Sequence, residues 1–167
     1  MTSPEPPPEF ALEDFLPYRL SVVTNRVSRA FASRYEAAWG LAIPEWRVLA
    51  VVGSFAPLSA AAVCEKTAMD KVKVSRAVAA LVRRGLLART SDPQDRRVQL
   101  LSLAAEGRRV YGGVVPMART IEAALTGALS SEERAGLLGA LEKLDACVAR
   151  LEDDDGSLQD RNAGNGN

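Results

Sequence analysis

The chain has no histidine. That removes the commonest general base and the commonest metal ligand. Its two cysteines, Cys64 and Cys147, stand far apart and give no framework for a disulfide-stapled secreted fold. No apolar run reaches the length of a membrane span. The opening MTSPEPPPEF is acidic and proline-rich, unlike a signal peptide, so a cytoplasmic location is expected. A glycine-rich phosphate loop, a nucleophile elbow and an internal repeat are all missing. An enzyme is therefore the least favoured reading, and no cofactor or metal is expected. Net charge is absent too, with 21 Lys and Arg against 21 Asp and Glu. What remains is a 167-residue chain, 47% hydrophobic and 25% charged, a globular composition with enough length for one proper core.

The balanced total hides a local excess. Between Lys66 and Arg97 there are nine Lys and Arg against three acids. Such a cluster is the electrostatic footprint of nucleic-acid binding. The segment Ser59–Leu103 around it reads as a short helix, a turn, a second helix and a two-stranded hairpin with a charged tip. Ser59 is placed to cap the first helix. Thr67 with Asp70 three residues on suggests the N-terminus of the second, which should run from about Ala68 to Arg84 and stop at Gly85. On a helical wheel Val74, Val78, Leu81 and Val82 share one face. Met69, Val72, Lys73, Arg76, Ala79, Ala80 and Arg83 lie opposite. Small residues there permit close approach, the cations reach phosphates or guanine edges, and apolar groups can touch thymine methyls. Leu86–Thr90 and Val98–Ser102 then look like short strands around a polar turn that ends in Arg96 and Arg97.

The flanks read as helices. Asp14 is expected to cap a long first helix that ends near Gly40, with Leu20, Val23, Val27 and Phe31 at helical spacing. Pro44 opens a second helix, Glu45 to Val52, closed by Gly53, with Trp46 and Leu49 facing the core. Trp39 and Trp46 fit packing better than ligand contact. After the hairpin, Ala105 to about Gly127 forms a long helix that Gly112, Gly113 and Pro116 should bend. Ser130 and Glu133 make a capping box for the last helix. There Leu137, Leu141, Leu144, Val148 and Leu151 repeat at alternating spacings of four and three, a heptad seam. The two chain ends are therefore expected to pack together and against another subunit.

In the order and spacing of its motifs the chain resembles the multiple antibiotic resistance regulator (MarR) family. The motifs are Gly40-Leu41 followed by Pro44-Glu45-Trp46-Arg47-Val48-Leu49, then Val74-Ser75-Arg76, then Arg84-Gly85-Leu86-Leu87. Asp92-Pro93-Gln94-Asp95-Arg96-Arg97 matches the family's wing and is the most specific. Leu103 with Gly107 and Leu129-Ser130-Ser131-Glu132-Glu133 complete the order, although Ala104 lacks the hydroxyl that normally caps the following helix. The resemblance implies a mainly α fold with a small β-hairpin wing: a winged helix-turn-helix lobe (44–103) plus a helical dimerisation lobe (14–40 and 105–151). Together they form one domain over 14–151, between a disordered arm (1–13) and a disordered acidic tail (152–167). It further implies a homodimer on palindromic double-stranded promoter DNA, usually a repressor released by a small ligand.

The expected DNA-contacting residues are Ser59, Thr67, Lys71, Val72, Lys73, Ser75, Arg76, Arg96 and Arg97; the resemblance implies that the wing, and so Arg96 or Arg97, enters the minor groove. The resemblance also implies that Asp95, the acid beside them, braces an arginine. Leu137, Leu141, Leu144, Val148 and Leu151 are assigned to the dimer interface. The resemblance points to an anionic aromatic compound or its CoA thioester as the ligand, for which the candidates are Arg19, Arg26, Arg29, Trp39 and Trp46. The competing reading of those arginines is solvated charge or intersubunit ion pairing. The alternative function is a thiol-based redox sensor using Cys64, against which Cys64 reads as a small core residue.

Overall fold

The computed structural model describes the backbone of residues 10–163 and the side chains of residues 10–152. Residues 1–9 of the arm expected over 1–13, and the end of the tail at 164–167, lie outside the described residues. The described chain is six helices and a three-stranded antiparallel sheet: α1 (Leu16–Trp39), α2 (Ile43–Phe55), β1 (Leu58–Ser59), α3 (Ala60–Thr67), α4 (Lys71–Arg83), β2 (Leu87–Ser91), β3 (Gln99–Leu103), α5 (Ala105–Thr126) and α6 (Ser131–Ala163). It divides into two compact units, 1–119 and 120–167, with the boundary inside α5. Helix α1, expected among the dimerisation helices, thus belongs to the same unit as the winged lobe. Its buried Ala32 and Tyr35 sit in that lobe's core, and Phe31 and Tyr35 meet Trp46 of α2 edge-on or tilted.

The helix-turn-helix is built by two caps that the sequence reading ran together. Thr67 does not start α4. It closes α3, where its Oγ1 donates to the Val63 carbonyl at 2.6 Å. Ala68 then takes a left-handed conformation (φ 50°) as the C-cap of α3. Asp70 is the N-cap of α4, its Oδ1 accepting the Lys73 N–H at 2.8 Å. The Thr67/Asp70 pair therefore spans a helix end and the next helix start. At the far end Gly85 (φ 68°) supplies the left-handed stop that the sequence predicts. Val74, Ala77, Val78 and Leu81 are the buried face of α4. Met69, placed outward on the wheel, is half-buried against the core because the turn ahead of α4 bends it inward.

Helix α2 is longer at both ends than expected. Gly53 lies inside it rather than closing it, and Val48, Leu49 and Val52 are fully buried. Gly53 is there because the Tyr111 ring of α5 covers its Cα. Asp14 does not cap α1. It falls in a single 3-10 turn at Leu12–Asp14, and α1 begins after Phe15 without a side-chain cap.

The sheet order is β1-β3-β2, with Leu87 opposite Leu103, Arg89 opposite Leu101 and Leu58 opposite Leu101 on the other edge. The hairpin strands sit one residue later than expected. The two-residue β1 has no periodicity to detect, so it is new. Helix α5 starts at Ala105 despite the missing hydroxyl, because the Arg108 N–H bonds the Ala104 carbonyl while Ala104 N–H bonds the Leu86 carbonyl. Gly107 permits that approach, since a Cβ there would clash with the Leu86 carbonyl oxygen. The capping box at α6 is formed: Glu133 N–H donates to Ser130 Oγ at 3.2 Å, and Ser130 N–H to Glu133 Oε2 at 2.8 Å. The α6 backbone then stays helical to Ala163, past the expected tail boundary at 152.

Candidate nucleic-acid interface

Helix α4 buries one face in the core and leaves Lys71, Val72, Ser75 and Arg76 exposed on the other. The Asp70 cap fixes the first turn, which carries Lys71 and Val72, and Ser75 and Arg76 follow in the next. The side chains of Lys71, Ser75 and Arg76 form no hydrogen bond or ion pair among the described residues. They are available to a partner.

Lys73 is different. Its ammonium lies 2.9 Å from Asp70 Oδ2, and both groups turn toward α1 and α2. The Lys73 bonds hold the Asp70 carboxyl below its ordinary range. Ser59 and Thr67 are half-buried, with hydroxyls engaged in helix ends: Ser59 Oγ accepts the Ala62 N–H at 3.2 Å. Of the residues expected to touch DNA, the fold therefore groups Lys71, Val72, Ser75 and Arg76 on one exposed helix face. It holds Lys73, Ser59 and Thr67 by internal bonds.

The hairpin tip is a set of Asx-type turns. Asp92 Oδ1 accepts the Gln94 N–H at 2.8 Å, and Asp95 Oδ1 accepts the Arg97 N–H at 3.0 Å. Backbone bonds Asp92 N to Val98 O and Val98 N to Asp95 O close the loop. Asp95 also grips the Arg97 guanidinium through both oxygens, Nε to Oδ1 and Nη2 to Oδ2, each at 3.0 Å. That fork lowers the Asp95 pKa and raises that of Arg97. The Arg97 side chain is still 91% exposed. A braced, exposed guanidinium is preorganised for an anion or a narrow groove. Arg96 beside it is exposed and carries no such brace among the described residues.

A cleft of about 540 Å³ opens between α1, α2 and the turn before α4. Arg29, Arg47 and Lys73 line it with a single carboxylate, Asp70. Arg47 Nη2 donates to Ser28 Oγ at 3.3 Å across its floor. Of the ligand candidates from sequence only Arg29 is here. Arg19 and Arg26 are exposed on α1 and do not line the cleft, because helical rotation turns them away from Asn25, Ser28 and Arg29.

Trp39 and Trp46 are elsewhere as well. Trp46 packs among Phe31, Tyr35 and Tyr111. Trp39 lies over Gly113, with the Arg109 guanidinium 5.1 Å from its ring, and its buried Nε1 has no partner. Both rings thus pack against side chains or backbone of neighbouring helices. Arg47 and Lys73 were missed as cleft residues because they come from separate helices.

Sequence reasoning also passed over Arg84. It donates to the carbonyls of Trp39 (2.7 Å) and Gly40 (3.0 Å) and to Glu45 Oε2 (3.2 Å). One guanidinium thus caps the C-terminus of α1 and ties it to α2 and α4. No local signal marks it, because the carbonyls it meets lie 44 and 45 residues away in the chain. Cys64 is half-buried on the wall of a second, mostly apolar groove between α3, α4 and β2, whereas Cys147 is exposed on α6. On α6, Leu137, Leu141, Val148 and Leu151 are 43–63% exposed and Leu144 is half-buried. Leu16, Leu20 and Val23 at the start of α1 are uncovered too.

The MarR family model matches residues 39–98, from the end of α1 through the wing tip. A probable transcriptional regulator from Pseudomonas aeruginosa is 30% identical, with 80% of this chain and 99% of that one covered and a TM-score of 0.68. This chain belongs to the MarR family. It is a transcriptional regulator with that family's winged-helix fold. Two further solved structures are similar. Bordetella bronchiseptica BpsR, whose DNA binding is regulated by 6-hydroxynicotinic acid, is 26% identical over 82% of this chain and 97% of its own, with a TM-score of 0.72. The transcriptional repressor CouR, solved on a 23-mer DNA duplex, is 26% identical over 82% of this chain and 99% of its own, with a TM-score of 0.70.

Proposed function

We propose that this chain is a homodimeric repressor that binds palindromic promoter DNA and leaves it when a small anionic aromatic ligand enters the α1–α2–α4 cleft. One observation carries the reading. The cleft with its three cations shares Asp70 and Lys73 with the N-cap of α4, so a ligand there touches the base of the helix that presents Arg76. The similarity to CouR supports DNA as the partner, and that to BpsR supports an aromatic acid as the signal. The uncovered apolar faces of α6 and of the start of α1 support self-association, since single surface apolar residues are ordinary but rows of them are not.

Base reading falls to Arg76, and the minor groove to Arg96 and the braced Arg97. Two such lobes must meet successive major grooves about 34–36 Å apart on one duplex face. A ligand that binds another spacing a hundredfold better supplies about 2.7 kcal/mol of coupling. The test is calorimetry of 6-hydroxynicotinate, benzoate and their thioesters, with and without an operator selected from random duplexes. By reciprocity the operator must weaken the ligand by the factor by which the ligand weakens the operator. Equal ligand affinities in both titrations would rule out that compound as inducer. Failure to select any sequence would rule out the DNA-binding reading itself.

A further inference from the structure

Between residues 24 and 124 only two large apolar side chains are exposed among the described residues, Phe55 and Val72. Phe55 has a partner, the Lys66 ammonium 4.2 Å from its ring centre. Val72 has none and is 58% exposed. It cannot turn inward, because Val74, Ala77, Val78 and Leu81 already fill the buried face of α4. Nor can the first turn unwind freely, since Asp70 holds the Lys73 N–H at 2.8 Å and the Val74 N–H at 3.1 Å. A β-branched side chain in a helix has one strongly preferred rotamer. The two Val72 methyl groups are therefore presented rigidly, between the exposed cations Lys71 and Arg76.

We infer that Val72 and Arg76 form a reading pair, with Val72 on the methyl group of a thymine and Arg76 on the major-groove edge of a guanine no more than two base steps away. The inference rests on the DNA-binding reading above and adds to it a base and a register. Thymine is the base that offers an apolar group in the major groove, and guanine O6 and N7 take an arginine bidentately. Residues four apart on a helix have Cβ atoms about 5–6 Å apart. Successive bases are about 3.4 Å apart along a strand, which sets the two-step limit. With a cation on either side, the Val72 methyl groups suit a polyanion that also carries apolar groups, which DNA is, rather than an apolar protein groove.

The experiment first selects an operator from random duplexes with the wild-type dimer. Each dT is then replaced by dU, which removes only the methyl group, and each dG by 7-deazaguanine, which removes N7. Wild type should lose about fourfold in affinity, the worth of one buried methyl group, at one dT per half-site. Val72→Ala should show no loss at that position. It should fold normally, since alanine is the better helix former at an exposed site. The dG sensitive to 7-deaza replacement in wild type and insensitive in Arg76→Ala should lie within two steps of that dT. Identical dU profiles for wild type and Val72→Ala, or a larger separation, would overturn the pairing while leaving DNA binding intact. No enriched sequence at all would overturn both.

Discussion

Ala68 is the non-glycine residue with positive φ among the described residues, and it sits at the bend of the helix-turn-helix. A left-handed alanine carries a penalty of about 1–2 kcal/mol, of which glycine's extra unfolded-state entropy returns about half on replacement. Ala68→Gly should therefore stabilise the fold by about 0.5–1 kcal/mol. Urea titration reads this as a higher midpoint at unchanged slope, and a lower midpoint would show that the αL geometry is not native. Lys73 gives a second test at this scale. It pairs with Asp70 and lines the cleft, whereas Lys71 on the opposite flank has no such tie. In the salt dependence of operator binding, Lys71→Ala should lower the slope by about one contact. Lys73→Met should leave it as in wild type, and a reduced slope for Lys73→Met would make it a phosphate contact after all.

Among the elements, the wing hangs on the junction of α4, β2 and α5. Leu86 leaves the Gly85 stop, its carbonyl accepts the Ala104 N–H, and Gly107 passes within van der Waals range of the same carbonyl. Backbone cannot give way as a side chain end can. Gly107→Ala should thus cost about 1–3 kcal/mol by overpacking. It should also shift the amide resonances of β2 and β3, which α5 anchors. Thermal melting with nuclear magnetic resonance checks both, and wild-type stability would show that α5 starts elsewhere. The Asp95 fork is the corresponding device at the wing tip. Its carboxyl is held below the ordinary range, so the fork is intact at neutral pH and is lost only as pH falls through that lowered pKa.

At the scale of the whole molecule the question is what covers the apolar rows on α6 and α1. A Glu at position 141 would place a charge in the middle of the α6 seam. Leu141→Glu should give monomer or aggregate in sedimentation at micromolar concentration. A folded dimer at wild-type affinity would sink the assignment of this seam to the interface. The thiols offer a parallel check on the signal. Cys64 and Cys147 fall in different units, and a Cys64→Ser, Cys147→Ser chain should keep operator binding and ligand release. Peroxide-driven release in wild type that disappears in the double variant would favour the thiol-sensor reading instead.

What the sequence determined by itself is everything written in short-range patterns. The 3.6-residue period marked the buried face of α4, Ser59 and the Ser130–Glu133 box marked helix starts, and Gly40 and Gly85 marked helix ends. The hairpin turn was legible as a polar stretch ending in Arg96 and Arg97, and the Asp95 brace through the family resemblance; the bonds that make both lie within five or six residues. Where two local signals overlapped the reading slipped, as at Thr67 and Asp70, which belong to different helices. Tertiary structure alone decided the cleft. Ser28, Arg47 and Lys73 lie on three helices, and no periodicity tells which flank of one will face which flank of another. It also decided that Arg84 caps α1 from 44 residues away, and that Gly53, Gly107 and Gly113 lie where a Cβ would run into Tyr111, Leu86 and Trp39. Those placements depend on side-chain volumes meeting across the core, a property of the packed chain rather than of any stretch of it.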